Sequence, residues 1–174
     1  MAYCVVRTDL MSGVKQPADM VSLRFYNGSD EVAEVENGVI AKITALESHT
    51  VGSDTTYERE IWKGVAASSS DKLADCVLID TPEVMYDERK RHLDEFINEA
   101  GVAARGYRLR DRNMFSLTAE GFVSGTAPTL GQTVGIGTGG KLAAGGTGFG
   151  KCVHIEDVGS KTFYAIQIQI PDET

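Results

Sequence analysis

The sequence predicts an α+β fold that is mainly β: short strands forming a small barrel or sandwich, with one amphipathic helix (about 82–100) between two β segments. Three observations carry this reading. Short apolar runs alternate with polar residues along much of the chain, which is the period of a half-buried strand. Glycine, 19 of 174 residues, separates those runs at turn positions. A single stretch, Pro82 to Ala100, carries helix caps and a helical apolar stripe.

The elements follow in order. Residues 1–30 read as an extended N-terminal arm, thin in apolar side chains and punctuated by Gly13, Pro17 and Asn27-Gly28. Within it Val21-Ser22-Leu23-Arg24-Phe25 alternates as a strand would. Residues 31–174 read as a single β-rich domain. Asn37-Gly38 suits a type I′ hairpin turn, because both central positions of that turn need positive φ. Val39–Ile43 follows as a strand, then Thr56–Val65, with Tyr57, Ile61 and Val65 alternating against Glu58, Glu60 and Trp62. Ala66–Lys72 is a small, polar loop. Cys76-Val77-Leu78-Ile79 is too short for a helix and reads as a buried strand.

The helix is expected from Thr81 as cap, Pro82 at the first helical position and Glu83 at the positive end of the dipole. Tyr86, Leu93, Phe96, Ile97 and Ala100 form its apolar stripe, and Gly101 can end it. Beyond it Tyr107, Leu109, Phe115–Thr118 and Gly121-Phe122-Val123 suggest strands. Val134, Ile136, Val153 and Ile155 continue the pattern. Tyr164, Ile166, Ile168 and Ile170 share one face of a last strand, opposite Gln167 and Gln169.

Composition narrows the function classes. At 42% hydrophobic and 24% charged residues the chain is expected to bury a real core. A net charge of −8 repels phosphate backbones, so no nucleic-acid partner is expected. No apolar stretch approaches the ~18–20 residues of a membrane span, and no signal sequence is visible, so no membrane partner is expected either. Cys4, Cys76 and Cys152 are widely spaced, without a CxxC pair; a disulfide framework or cysteine zinc site is not expected, and buried thiols suit a reducing compartment.

Strings that look chemical lack their context. Gly135-Ile136-Gly137-Thr138-Gly139-Gly140 spells a dinucleotide fingerprint, but Gly145-Gly146 follow too soon for the helix that would hold a pyrophosphate. Gly145–Lys151 spells the start of a phosphate loop, yet Cys152 stands where a Ser or Thr hydroxyl must bind magnesium, and Val153–Glu156 alternates like a strand. His154-Ile155-Glu156 has no following P-C-x-x-C, as a zinc deaminase requires. His49 in a polar loop and His92 in the helix lack ligand spacing. No GxSxG elbow is present among the serines. No catalytic residue, cofactor or metal is therefore expected. Arg105, Arg108, Arg110 and Arg112 form the densest basic cluster; they serve either internal salt bridges or an acidic partner, for which arginine's planar fork is suited.

The segments Asp80–Glu88, Phe96–Gly101, Ala104–Leu109 and Asn113–Thr118 resemble the small head proteins of tailed bacteriophages, which decorate or cement a capsid. Val35–Ile40 and Phe149–Val153 share the likeness. The resemblance extends by pattern over 31–170 and contains no catalytic signature. It implies a non-enzymatic structural protein bound to the capsid exterior of a virion, made in the host cytoplasm. Its partner would be the major capsid protein of the same phage, with homo-oligomerisation left open. Arg7, Lys15, Arg108 and Arg110 are the candidate capsid-contact residues, and the arm could reach a neighbouring subunit. Two other classes stay open: a virion-associated carbohydrate- or host-surface-binding module using the glycine-rich loops, and a small hydrolase with a dispersed active site.

Overall fold

The computed structural model describes residues 2–12, 19–85, 89 and 92–169. Eleven strands are present among them: β1 (Val6–Ser12), β2 (Met20–Tyr26), β3 (Ile40–Val51), β4 (Asp54–Ala66), β5 (Cys76–Ile79), β6 (Ala104–Arg108), β7 (Met114–Leu117), β8 (Thr133–Ile136), β9 (Leu142–Ala144), β10 (Gly150–Val158) and β11 (Lys161–Ile168). They form a closed barrel, β2-β4-β3-β5-β6, and a six-stranded sheet, β1-β7-β11-β10-β8-β9. Within the barrel only the β2–β4 pair is parallel. Among the described residues no helix is long and apolar enough to cross a membrane.

The barrel and the sheet share their packing through β3 and β5. Alternate residues of a strand face opposite sides. Ala41, Val77 and Ile79 face the barrel interior, where they pack with Leu23, Val35, Val39 and Ala104. Ile40, Cys76 and Leu78 face out and join Phe115, Leu117, Phe122, Val134 and Ile166 beneath the sheet. All four residues of β5 are fully buried, as a strand covered on both faces requires. Two edge-to-face aromatic pairs stiffen the sheet side: Phe115–Phe149 at 6.1 Å and Phe122–Tyr164 at 5.8 Å.

Glycines let the barrel close over Leu23. A Cβ at Gly64 would lie 2.5 Å from Leu23 Cδ1, and one at Gly106 would lie 2.8 Å from Val77 Cγ2. The turn between β8 and β9 reaches the barrel in the same way. Gly140 (φ +75°) lies so close to the Ile40 carbonyl oxygen that a Cβ there would clash. The first glycine string is thus a hairpin turn at the junction. The second leads directly into β10, a strand and not a helix.

Four expectations need correction. The helix over 82–100 is not present in its described part. Leu93–Glu95 is one 3-10 turn, and Asn98 forms a β-bridge with Val35; residues 86–88, 90 and 91, which include Tyr86 of the expected stripe, lie outside the described residues. The reason is a set of partners distant in sequence. The backbones of Val35 and Asn98 exchange two hydrogen bonds (3.0 and 3.1 Å). The Asn98 amide also donates to the Val35 carbonyl (2.9 Å) and to Asn37 Oδ1 (3.2 Å). Phe96 is buried, but Leu93 is 51% exposed, so the stripe does not face one core.

The N-terminal segment is not an arm over its described residues. Cys4, Val5 and Val6 are buried, β1 pairs with β7, and β2 closes the barrel between β4 and β6. A boundary at residue 30 therefore separates nothing. Asn37-Gly38 is a turn, but only Gly38 has positive φ (+84°), so it is not type I′. Its glycine is required, since a Cβ would sit 2.5 Å from Cys4 Sγ. Gly121-Phe122-Val123 is not a strand; two 3-10 turns, Ala119–Gly121 and Val123–Gly125, flank Phe122.

Two substitutions separate this packing from the helical reading. Leu23→Ala should cost about 2–5 kcal/mol in urea unfolding, because Leu23 is fully buried and fills the space over Gly64 and Gly106. Leu93→Ala should stay within about 0.5 kcal/mol. An equally large loss at Leu93 would restore the buried helical stripe.

Candidate interaction surfaces

The longest strands build an exposed feature. β3 and β4, of 12 and 13 residues, pair at both ends with register shifts between Ile43 and Ser48, but their outer neighbours stop early. β5 pairs with β3 only at Ile40–Lys42, and β2 pairs with β4 only from Ile61 onward. Beyond those points the two strands continue as a ribbon. Ser48, His49 and Thr50 on β3 and Thr55, Thr56 and Tyr57 on β4 are exposed, with Tyr57 at 61%. Side chains on both faces of the ribbon meet solvent.

A charged network holds the ribbon where it leaves the barrel. Arg24 on β2 donates to Glu58 on β4 (2.9 Å) and lies 3.5 Å from Glu47 on β3. The Tyr26 hydroxyl donates to the same Glu47 oxygen. Lys63 pairs with Asp30 (3.2 Å) and sits 4.4 Å over the Tyr26 ring. Burial, then the bond to Glu47, push the Tyr26 hydroxyl up to about 12. The bond to Glu58 raises the Arg24 guanidinium further above its ordinary value. This arrangement anchors strands and presents no free nucleophile.

The sequence-predicted contact residues are scattered. Arg7 on β1 pairs with Glu156 (3.3 Å) and stacks 5.4 Å from the Phe163 ring. Arg110, just past β6, grips the buried Asp19 carboxylate through Nε (3.1 Å) and Nη2. Arg108 is half-buried at the end of β6, opposite Val77. Lys15 lies outside the described residues. The structure thus places Arg7 in the sheet and Arg108 and Arg110 at the barrel, with two of the four in internal ion pairs. Arg112 is 87% exposed beside Asp111 (3.4 Å).

An apolar groove of about 490 Å³ opens between Thr81–Met85 and Phe96–Ala103. Two of its polar members are already engaged: Thr81 Oγ1 accepts from the Arg105 amide (2.9 Å), and Asn98 is held by Val35 and Asn37. Among the described residues no three His, Cys, Asp or Glu side chains are placed to share a metal ion. The three cysteines are buried and free. Burial raises all three thiols, that of Cys76 to about 11, so none is an activated nucleophile.

Sequence reasoning missed the ribbon. Residues 48–57 are polar on both faces, so they show no alternation, and His49, expected in a loop, lies in β3. The available signal was Gly52-Ser53 between the β-branched pairs Thr50-Val51 and Thr55-Thr56. No protein family, curated protein or solved structure matches the chain.

The raised Tyr26 hydroxyl makes stability depend on alkaline pH. A group whose folded value exceeds its ordinary 10 contributes fully below that pH and loses the contribution as pH rises through about 12. Unfolding measured from pH 9 to 12 should show a loss on the order of 2 kcal/mol that Tyr26→Phe removes, while that variant is less stable at neutral pH. Parallel losses in both proteins would contradict the Tyr26–Glu47 bond.

Proposed function

We propose that the chain is a non-catalytic structural protein that binds the outer surface of a bacteriophage capsid and stabilises the shell. The observation that carries this reading is the β3–β4 ribbon. An isolated two-stranded ribbon is only marginally stable in water, and open strand edges are templates for another chain. A ribbon whose two edges pair with no other strand among the described residues is suited to a protein partner, where main-chain bonds give affinity and neighbouring side chains give specificity. The phage-head resemblance names that partner as the major capsid protein. The charged network at the base fixes the ribbon's direction, which lowers the ordering cost of docking.

The glycine-rich loops support the carbohydrate-binding alternative less well. Gly135, Gly140, Gly146 and Gly150 all approach other backbone too closely for a Cβ, so these glycines serve packing between segments. For a dispersed hydrolase site, the polar clusters described above are already held in internal bonds.

Decoration stabilises a shell by mass action, because the ligand binds the assembled lattice. Purified protein should co-sediment saturably with undecorated shells of the encoding phage and raise their resistance to heat. Replacing residues 49–56 by Asn-Gly, which joins Ser48 to its partner Tyr57 through a two-residue turn, should weaken binding at least about tenfold with the body still folded. Wild-type protein that fails to bind shells would refute the capsid reading. Equal binding by the shortened protein would remove the ribbon from it.

A further inference from the structure

The geometry points to a second copy of this chain as the occupant of the β3 edge: Ser48–Thr50 of two copies pair antiparallel about a two-fold axis at His49. This rests on the ribbon as a docking element and not on the identity of the shell.

The register defines which backbone groups are free. Gly52-Ser53 is a two-residue loop closing the Val51–Asp54 pair, and such a closing pair exchanges both hydrogen bonds. Alternation then makes Thr50–Thr55 and Ser48–Tyr57 the pairs that do not bond each other. The Thr50 and Thr55 hydroxyls lie 3.4 Å apart, as the closer spacing of such a pair allows. On β3 the N–H and C=O groups of Ser48 and Thr50 therefore point away from β4. Beyond Lys42, β4 is the one strand paired with β3 among the described residues.

Three features select a second copy. The edge is self-complementary: with His49 on the axis, Ser48 of each copy meets Thr50 of the other. The outward amides and carbonyls then exchange four hydrogen bonds, and hydroxyl faces hydroxyl. Little charge repulsion opposes such a pairing at the ribbon. The chain carries −8 overall, but Ser48–Tyr57 holds one formal charge, Asp54. Finally, the edge is unguarded. Exposed edges are ordinarily protected by lysine, proline or bulges. Ser48–Tyr57 contains neither Lys nor Pro, and the β3–β4 irregularities lie nearer the barrel, between Ile43 and Ser48.

Sedimentation of the full chain, with no shells present, tests this. Wild-type protein should associate with rising concentration towards a dimer. His49→Lys sets like charges opposite each other on the axis and should weaken association at least about tenfold. Thr50→Pro removes an outward N–H that the ribbon does not use and should do the same with little change in melting temperature. His49→Cys should form an intermolecular disulfide on mild oxidation, since residues facing across the axis fall within bridging distance. Ser53→Cys, at the ribbon tip and off the axis, should not. Wild-type protein that stays monomeric at the highest concentration reached would overturn the proposal. So would crosslinking at Ser53→Cys as fast as at His49→Cys, or association unchanged in both His49→Lys and Thr50→Pro. Failure to bind shells would leave it standing.

Discussion

Everything in this fold depends on β5 having no solvent face. Cys76 and Leu78 pack under the six-stranded sheet, Val77 and Ile79 fill the barrel, and all four are fully buried. A strand used on both sides couples the two cores, because moving it by one residue would exchange its two faces. β3 repeats the arrangement with Ile40 outward and Ala41 inward. The N-terminal segment then ties the junction. Its Cys4 amide donates to Glu36 (3.0 Å), and Val5 and Thr118 exchange two bonds (3.1 and 3.2 Å). Lys141 crosses from the sheet to the same Glu36 (2.6 Å).

The same junction explains where local sequence signals lost to tertiary partners. Thr81, Pro82 and Gly101 are good helix boundaries in isolation. In the fold, the Asn37 side chain pairs with the Thr81 peptide in both directions (2.8 and 3.0 Å), much as a neighbouring strand would. With Asn98 also bonded to Asn37, the segment is drawn along the barrel. The partners of these bonds lie more than 40 residues apart in the chain, so no window of helical periodicity could reveal them. Buried polar groups without partners are costly, and that cost outweighs a weak helical propensity.

Alternating strands and one short, wholly apolar run were legible. Val21–Phe25, Cys76–Ile79 and Tyr164–Ile168 all fall in strands, with Leu23, Ile166 and Ile168 buried. Where both faces carry apolar side chains, the sequence does not say which turns inward. In β4 it is Trp62 that packs in the barrel core, while Tyr57, on the opposite parity, is exposed. Gly64, aligned with Trp62, decides this by leaving room for Leu23. The basic cluster was legible as a cluster, but the role of Arg110 was not, because its partner Asp19 is 91 residues away. For the interaction surface, the quoted contact residues pointed to charge, whereas the structure presents a nearly uncharged ribbon.

The protein is one cooperative body, coupled through β5, that carries one weakly held ribbon. Amide hydrogen exchange in dilute protein tests that claim most directly, since it resolves opening free energy residue by residue. The amides of β5 and of the strands beside it in both sheets should exchange slowest and together, at the free energy of global unfolding. Those of Ser48, Thr50, Thr55 and Tyr57 should exchange orders of magnitude faster. Barrel and sheet amides exchanging as two independent classes, or ribbon amides as slow as those of β5, would contradict it.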